Sequence, residues 1–267
     1  MSKILVGTCG FYYTDWLGVV YPEGTPKKDF LSLYARRFRT VELDYTYYSM
    51  PKAENLAKML VDGGASLTFS VKAHQSLTHK IDPAKWEQDA KTFREAIDPV
   101  LRAGRLEAVL VQFPYSFKYE EKNRRYLDSL LSFFSGVPLA VEFRNNEWFN
   151  DKLIEGMKKR GISLVSLDMP ELAHLPPSMD LVTAPVSYIR LHGRNKDAWW
   201  GSDEVARYDY LYEDQELSEW VDRLKMVALE ADKILVYFNN HAKGQAVQNA
   251  QSLMKILEKA GLYGQQA

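Results

Sequence analysis

One cysteine, Cys9, is all the thiol that this chain of 267 residues holds. That count excludes a disulfide framework and thiolate zinc clusters. An excess of charge of either sign is missing too. The 34 Lys and Arg stand against 35 Asp and Glu for a net −1, so no global field draws the chain to nucleic acid or anionic lipid. Any recognition of an anion falls to a local pocket. No apolar run approaches the roughly 18–20 residues that span a bilayer. Met1–Gly7 is too short, and broken too soon by Gly7, for a signal peptide, so a soluble cytoplasmic protein is expected, with no membrane partner. The chain has no GxxxxGK phosphate loop, no GxSxG elbow, no CxxC and no HExxH. No low-complexity linker or composition shift divides it, and a single domain over residues 1–267 is expected.

What is present is an alternation of two periods. Eight short β-rich runs span Lys3–Thr8, Thr40–Asp44, Leu67–Lys72, Ala108–Gln112, Leu139–Arg144, Ile162–Asp168, Val186–His192 and Ile234–Asn239. Between and after them, spaced apolar residues predict helices over Asp29–Arg37, Lys52–Val61, Pro83–Arg102, Glu120–Phe134, Asn150–Arg160, Glu213–Ala231 and Gly244–Ala260. Asp82 suits an N-cap, and Gly136, Gly161 and Gly261 stand where a left-handed residue ends a helix. Only Pro176–Pro177 and Met179–Leu181 mark the stretch between the sixth and seventh runs, so that helix is expected to be short or missing. The loop Gly193–Tyr212 is long and holds Trp199 and Trp200; long loops of this kind are more often functional than accidental. With 46% hydrophobic residues the chain can fill a large core. The expected class is α/β: a single TIM-like β/α barrel of parallel strands, irregular around its sixth helix. A doubly wound sheet usually carries a GxGxxG turn after its first strand, and Gly7-Thr8-Cys9-Gly10-Phe11 lacks that spacing.

Such a barrel places its chemistry at the C-terminal strand ends. Residues two apart share a strand face, about 7 Å apart. Glu42 pairs so with Asp44, Glu142 with Arg144, Arg190 with His192 and Tyr237 with Asn239, while Lys72, Gln112 and Asp168 close three further strands. Ionisable groups this crowded shift one another's pKa, which is how acid–base sites are made. The same charges can instead pair, Glu42 with Lys72 or Glu142 with Arg190, and plug the barrel. Buried pairs seldom gain net stability, which favours a site. Lys72, Arg144, Arg190 and Arg194 offer donors, and the guanidinium fork suits carboxylate or phosphate. The eighth turn, Asn239-Asn240-His241-Ala242-Lys243-Gly244, leads into a helix whose free N–H groups favour an anion; turn chemistry explains the Asn pair equally well. A metal site would draw on Glu142, Asp168, His192 and His241, but no spaced pair supports it and the neighbouring Arg and Lys repel a cation. No metal is assigned, and the cofactor stays unknown. Cys9 suits a small buried hydrophobe or the barrel mouth. Among the many aromatic residues near the rim, Tyr47 and the Trp199–Trp200 pair are the least explained by core packing; flat rings there would stack a base or a sugar.

These motifs resemble the YecE-like family, domain of unknown function 72, over Ile4 to about Leu257. The resemblance rests on Gly7-Thr8-Cys9-Gly10-Phe11 with Trp16 and Tyr21-Pro22, on Phe38-Arg39-Thr40-Val41-Glu42 with Thr46-Tyr47-Tyr48, and on Phe69-Ser70-Val71-Lys72 with Thr78-His79. It continues through Gln112-Phe113-Pro114, Val141-Glu142-Phe143-Arg144 with Trp148, Tyr188-Ile189-Arg190-Leu191-His192-Gly193 and Tyr237-Phe238-Asn239-Asn240-His241. Membership implies a β/α barrel with a polar cavity at the strand ends and no established activity. Asp44-Tyr45 departs from the family pattern, where Asn and a small residue are usual, and Asn145 stands where His is common. Both changes weaken a carried-over metal site.

The resulting expectation is a protein that binds or acts on a phosphate- or carboxylate-bearing ligand, with a nucleotide or nucleic-acid fragment among the candidates. Lys72, Arg144, Arg190, Asn239 and Asn240 would hold the anion, with Tyr47, Gln112 and Asp168 beside it. Glu42 or Glu142 would act as general base and His192 as partner acid. A non-catalytic ligand- or nucleic-acid-binding protein and a metal-dependent isomerase or hydrolase are the two rivals.

Overall fold

A computed structural model of the protein describes residues 2–200 and 204–263. Its strands are β1 (Lys3–Thr8), β2 (Thr40–Leu43), β3 (Thr68–Lys72), β4 (Leu106–Gln112), β5 (Leu139–Glu142), β6 (Ser163–Leu164), β7 (Ser166–Asp168), β8 (Val186–Leu191) and β9 (Lys233–Phe238). The helices are α1 (Phe30–Ala35), α2 (Tyr45–Tyr48), α3 (Ala53–Asp62), α4 (Trp86–Arg102), α5 (Glu121–Phe133), α6 (Asp151–Arg160), α7 (Glu204–Tyr208), α8 (Asp214–Val227) and α9 (Gln245–Lys259). All described strand pairs are parallel, and hydrogen bonding divides them into two sheets, β1-β9-β8-β7 and β2-β3-β4-β5-β6. The α/β class with parallel strands is as the sequence predicts. The single continuous barrel sheet is not: the eight expected strands form two ladders.

The two discontinuities have local causes. The sixth expected strand breaks at Val165, because the Thr183 hydroxyl accepts from the Leu164 amide at 2.7 Å and donates to the Ile162 carbonyl at 2.7 Å. A side chain thus occupies the place of a backbone ladder, and Val165 N–H still reaches the Val141 carbonyl at 2.9 Å. At the other seam β1 meets β2 through one bridge, Cys9 to Glu42, with Gly10 N–H donating to the Glu42 carbonyl at 2.7 Å. Tyr34 of α1 stitches this seam: its hydroxyl accepts from Thr8 N–H at 2.9 Å and donates to the Thr40 carbonyl at 3.1 Å.

Strand alternation sorts the apolar residues into two cores. One face of the strands (Ile4, Val6, Val41, Phe69, Val109, Val141, Ile189, Val236) packs against the helices in the larger cluster. The opposite face (Leu5, Ala108, Leu110, Ala140, Leu167, Tyr188, Leu235, Tyr237) forms a smaller cluster of its own. The helix stripes are the expected ones within a few residues, and no helix lies between Met169 and Pro185. Gly136, Gly161 and Gly261 adopt φ of 81°, 60° and 71°. Asp82 caps a turn rather than α4 itself, its carboxylate accepting from Ala84 N–H at 2.9 Å. The short helices α2 and α7 are additions; α7 lies in the expected long loop, of which residues 201–203 fall outside the described residues. No helix among the described residues is long and apolar enough to cross a membrane.

Candidate functional site

The inner strand face changes character toward the C-terminal ends, in stacked layers. Lowest, the Tyr237 hydroxyl meets Thr40 Oγ1 at 2.6 Å and Ser70 Oγ at 3.0 Å. Above it lies a buried charge layer centred on Arg190, which is 1% exposed. One guanidinium nitrogen donates to Glu142 Oε2 at 2.7 Å and another to Glu42 Oε1 at 2.7 Å. The Tyr188 hydroxyl donates to the second Glu42 oxygen at 2.6 Å, and Arg144 Nε donates to the second Glu142 oxygen at 2.5 Å. His192 completes the layer: its Nε2 stands 3.5 Å from Glu142 Oε1, and Asn239 Nδ2 donates to its Nδ1 at 2.9 Å.

Electrostatics in this layer follow from the pairing. Burial would raise the Glu142 carboxyl, but Arg144, Arg190 and His192 together hold it well below the usual carboxylate range. Burial pushes Glu42 up, helped by Asp44 and opposed by Arg190. His192 is driven down to about 3, first by burial and then by Arg144. It is therefore a neutral imidazole at ordinary pH, which disfavours the proton-donor role expected of it. Glu142, saturated by two arginines, is a poor base.

The top layer opens into a cavity of about 290 Å³. Lys72, Arg144, Gln112 and Asn239 give its polar wall, with Asp44, His79 and His241 beside them; Tyr13, Tyr47, Tyr48 and Tyr208 complete it. Lys72 Nζ stands 3.4 Å from Asp44 Oδ1 and 4.9 Å from the Tyr47 ring centroid. Desolvation works against ionisation of Asp44, yet Lys72 and Arg190 outweigh it and lower its pKa. His79 falls to about 4, through burial and then the nearby Lys72 and Arg144.

Of the expected residues, Tyr47, Lys72, Gln112, Arg144 and Asn239 line this cavity, whereas Glu42, Glu142, Arg190 and His192 sit beneath it. Asp168 is elsewhere. It is one residue out of phase with inward-facing Leu167, so it points outward and accepts from Arg194 at 3.0 and 2.7 Å, from Tyr212 at 2.8 Å and from Trp220 at 3.3 Å. Asn240 is out of phase with Asn239 for the same reason; it donates to the Tyr210 carbonyl and to Asn249 Oδ1, both at 2.8 Å. In the eighth turn, Lys243 N–H donates to the Asp15 carboxylate at 2.9 Å, so the protein's own anion takes a position expected for the ligand's. Tyr13, His79 and Tyr208 are not among the expected ligand-binding residues; Asp44 entered only as the strand-face partner of Glu42, and His241 only as a metal candidate and part of the eighth turn. Asp44 and His79 carried a signal, since each lies two residues or a few positions beyond an expected strand-end residue.

The donor atoms of Cys9, Glu42 and Asp44 lie within 4.8 Å of one another, as metal ligands do. A guanidinium already stands among them: Arg190 is 3.4 Å from Cys9 Sγ, 2.7 Å from Glu42 and 3.9 Å from Asp44. The donor set is matched to that fixed cation. Glu142, Asp168, His192 and His241 do not converge, because Asp168 faces outward and the His241 ring stacks on Tyr13 at 4.6 Å.

The comparisons agree with this architecture. The model of the family described as "Protein of unknown function DUF72" matches residues 5–266. The chain belongs to that family. It is 30% identical over 254 residues to the UPF0759 protein YunF of Bacillus subtilis (strain 168), covering 90% of each. The solved DUF72 family protein TM1631 of Thermotoga maritima MSB8 superposes with a TM-score of 0.87 at 37% identity, over 96% of this chain and 99% of that one. A DUF72 family protein of Enterococcus faecalis V583 gives 0.85 at 28% identity, over 96% of both chains.

Proposed function

We propose that this DUF72 protein binds a small anionic ligand, bearing phosphate or carboxylate, at the strand ends, and that its two sheets act together as one barrel whose mouth is the cavity. The observation that carries this reading is the pair of cations, Lys72 and Arg144, fixed in the wall of one cavity of about 290 Å³. Fixed donors of this kind need no reorganisation to meet an anion, and they act in surroundings less polar than water. Glu142 holds Arg144 from below, and Asp44 holds Lys72 from the side. The tyrosine rings around them suit a ligand with a flat ring, a nucleotide among the candidates. Glu42, Glu142, Arg190 and His192 serve here as positioning residues beneath the ligand. Proton transfer, in a catalytic version of this reading, falls to Asp44, the carboxylate of the cavity wall. A cytoplasmic setting accords with the lone buried thiol of Cys9.

Titration calorimetry with inorganic phosphate, acetate and a nucleoside monophosphate, at two salt concentrations, tests the reading. At least one of these anions is expected to bind, more weakly at high salt, and Lys72→Met is expected to weaken it about ten-fold, the loss of one charge-assisted contact. Absence of binding by all three, or a Lys72→Met variant that binds as wild type does, overturns it.

A further inference from the structure

The polar cleft continues past Arg144. A second cavity of about 160 Å³ shares His79, Gln112, Arg144 and Tyr208 with the first and adds Arg207, Trp199 and Trp200. Arg144, Arg190 and Arg194 each meet a carboxylate. Arg207 is different. Its Nε is buried without a hydrogen-bond partner, and no described residue forms a hydrogen bond or an ion pair with its guanidinium. It stands over the face of Trp199, 5.9 Å from guanidinium carbon to ring centroid. That ring, 3% exposed, is a fixed platform for the planar fork. A partly buried guanidinium is costly where no counter-charge offsets it, and among the side chains the structure describes none does; its fork matches two anionic oxygens.

We propose, resting on the anion-binding reading above, that the ligand is doubly anionic: one anionic group lies at Lys72 and Arg144, and a second at Arg207 over Trp199. The two ends of the cleft differ in a way that fits two separate groups. Lys72 is partly neutralised by Asp44 at 3.4 Å, whereas no ion pair joins Arg207 to any side chain that the structure describes. A ligand with both groups gains because the second contact forms intramolecularly once the first is made, provided the spacer spans the gap.

The test uses methylphosphonate as the single-group probe and a series of α,ω-alkane bisphosphonates of two to eight methylenes as the double-group probes. Binding is measured by calorimetry to the wild-type chain and to Arg207→Gln, with circular dichroism to check the fold. One spacer length is expected to bind the wild type at least about ten-fold tighter than methylphosphonate, a single good contact's worth. In Arg207→Gln that gain is expected to vanish while methylphosphonate stays within about two-fold. A gain that persists in Arg207→Gln, or no gain at any length while methylphosphonate still binds, overturns the two-group proposal and leaves the single-anion reading standing. No binding of methylphosphonate or of any bisphosphonate by the wild type overturns the two-group proposal, and the single-anion reading falls with it if phosphate, acetate and the nucleoside monophosphate also fail to bind.

Discussion

At the scale of residues, phase along a strand decides more than residue type does. Glu42 with Asp44, Glu142 with Arg144, and Arg190 with His192 share the inner face as their spacing of two requires, and this much was legible in the sequence. Asp168 and Asn240 have the right chemistry and the wrong phase, and both turn outward to Arg194 and Asn249. Depth was not legible. Nothing in the sequence separates Arg190, closed in by Glu42 and Glu142, from Arg144, which meets the cavity as well as Glu142. That difference arises from how far each strand runs relative to its neighbours. The expected pairing of Glu142 with Arg190 is therefore present beneath the cavity, whereas Glu42 pairs with Arg190 and not with Lys72, which meets Asp44. His192 gives the lower layer a pH signature. Its native pKa of about 3 lies below the ordinary histidine value, so the unfolded chain takes up a proton first as pH falls. Stability is thus full above about pH 6.5 and declines below it. Glu42, raised by burial, acts in the opposite sense, and Glu142 acts only below the ordinary carboxylate range. Urea denaturation is expected to show that the wild type loses about 2 kcal/mol more than His192→Asn between pH 7 and pH 5. Equal losses in the two proteins would mean that His192 titrates normally in the native state.

At the scale of elements, the alternation of periods placed the strands and the longer helices within a few residues, because each buries a continuous apolar stripe. The sequence did not reveal the break at Val165 or the seam between β1 and β2, since both depend on partners distant in the chain. At that seam the chains come too close for a side chain. A Cβ on Gly7 would stand 2.3 Å from the Thr40 carbonyl oxygen and 3.1 Å from Thr40 Cγ2. The oxygen is backbone and has little room to yield. Gly7→Ala is therefore expected to cost about 1–3 kcal/mol by overpacking, read as a lower urea midpoint. An unchanged midpoint would show that β1 moves away from β2 freely, and that the Tyr34 stitch does not hold the seam. Gly10, three residues on, adopts φ 80°, and a Cβ there would stand 2.6 Å from the Tyr13 hydroxyl.

At the scale of the whole molecule, the charged strand ends divide into a closed support and an open cavity. The support's carboxylates hold arginine in place; Lys72 and Arg144 line the first cavity, and Arg144 and Arg207 the second. The donors on which the anion proposal rests, Lys72 and Arg144, were legible as strand-end residues, while the cleft's extent and its third cation, Arg207, depend on where residues 193–200 and 206–212 fold. His79 sits within this field and reports on it, since burial, Lys72 and Arg144 hold it near 4 in the free protein. The most direct test is an NMR titration of the His79 imidazole with and without saturating methylphosphonate. The account predicts a depressed pKa in the free protein that rises by about one unit or more when the anion offsets the two cations. A pKa near the ordinary histidine value, or one that saturating anion leaves unmoved, would contradict an anion site at the strand ends.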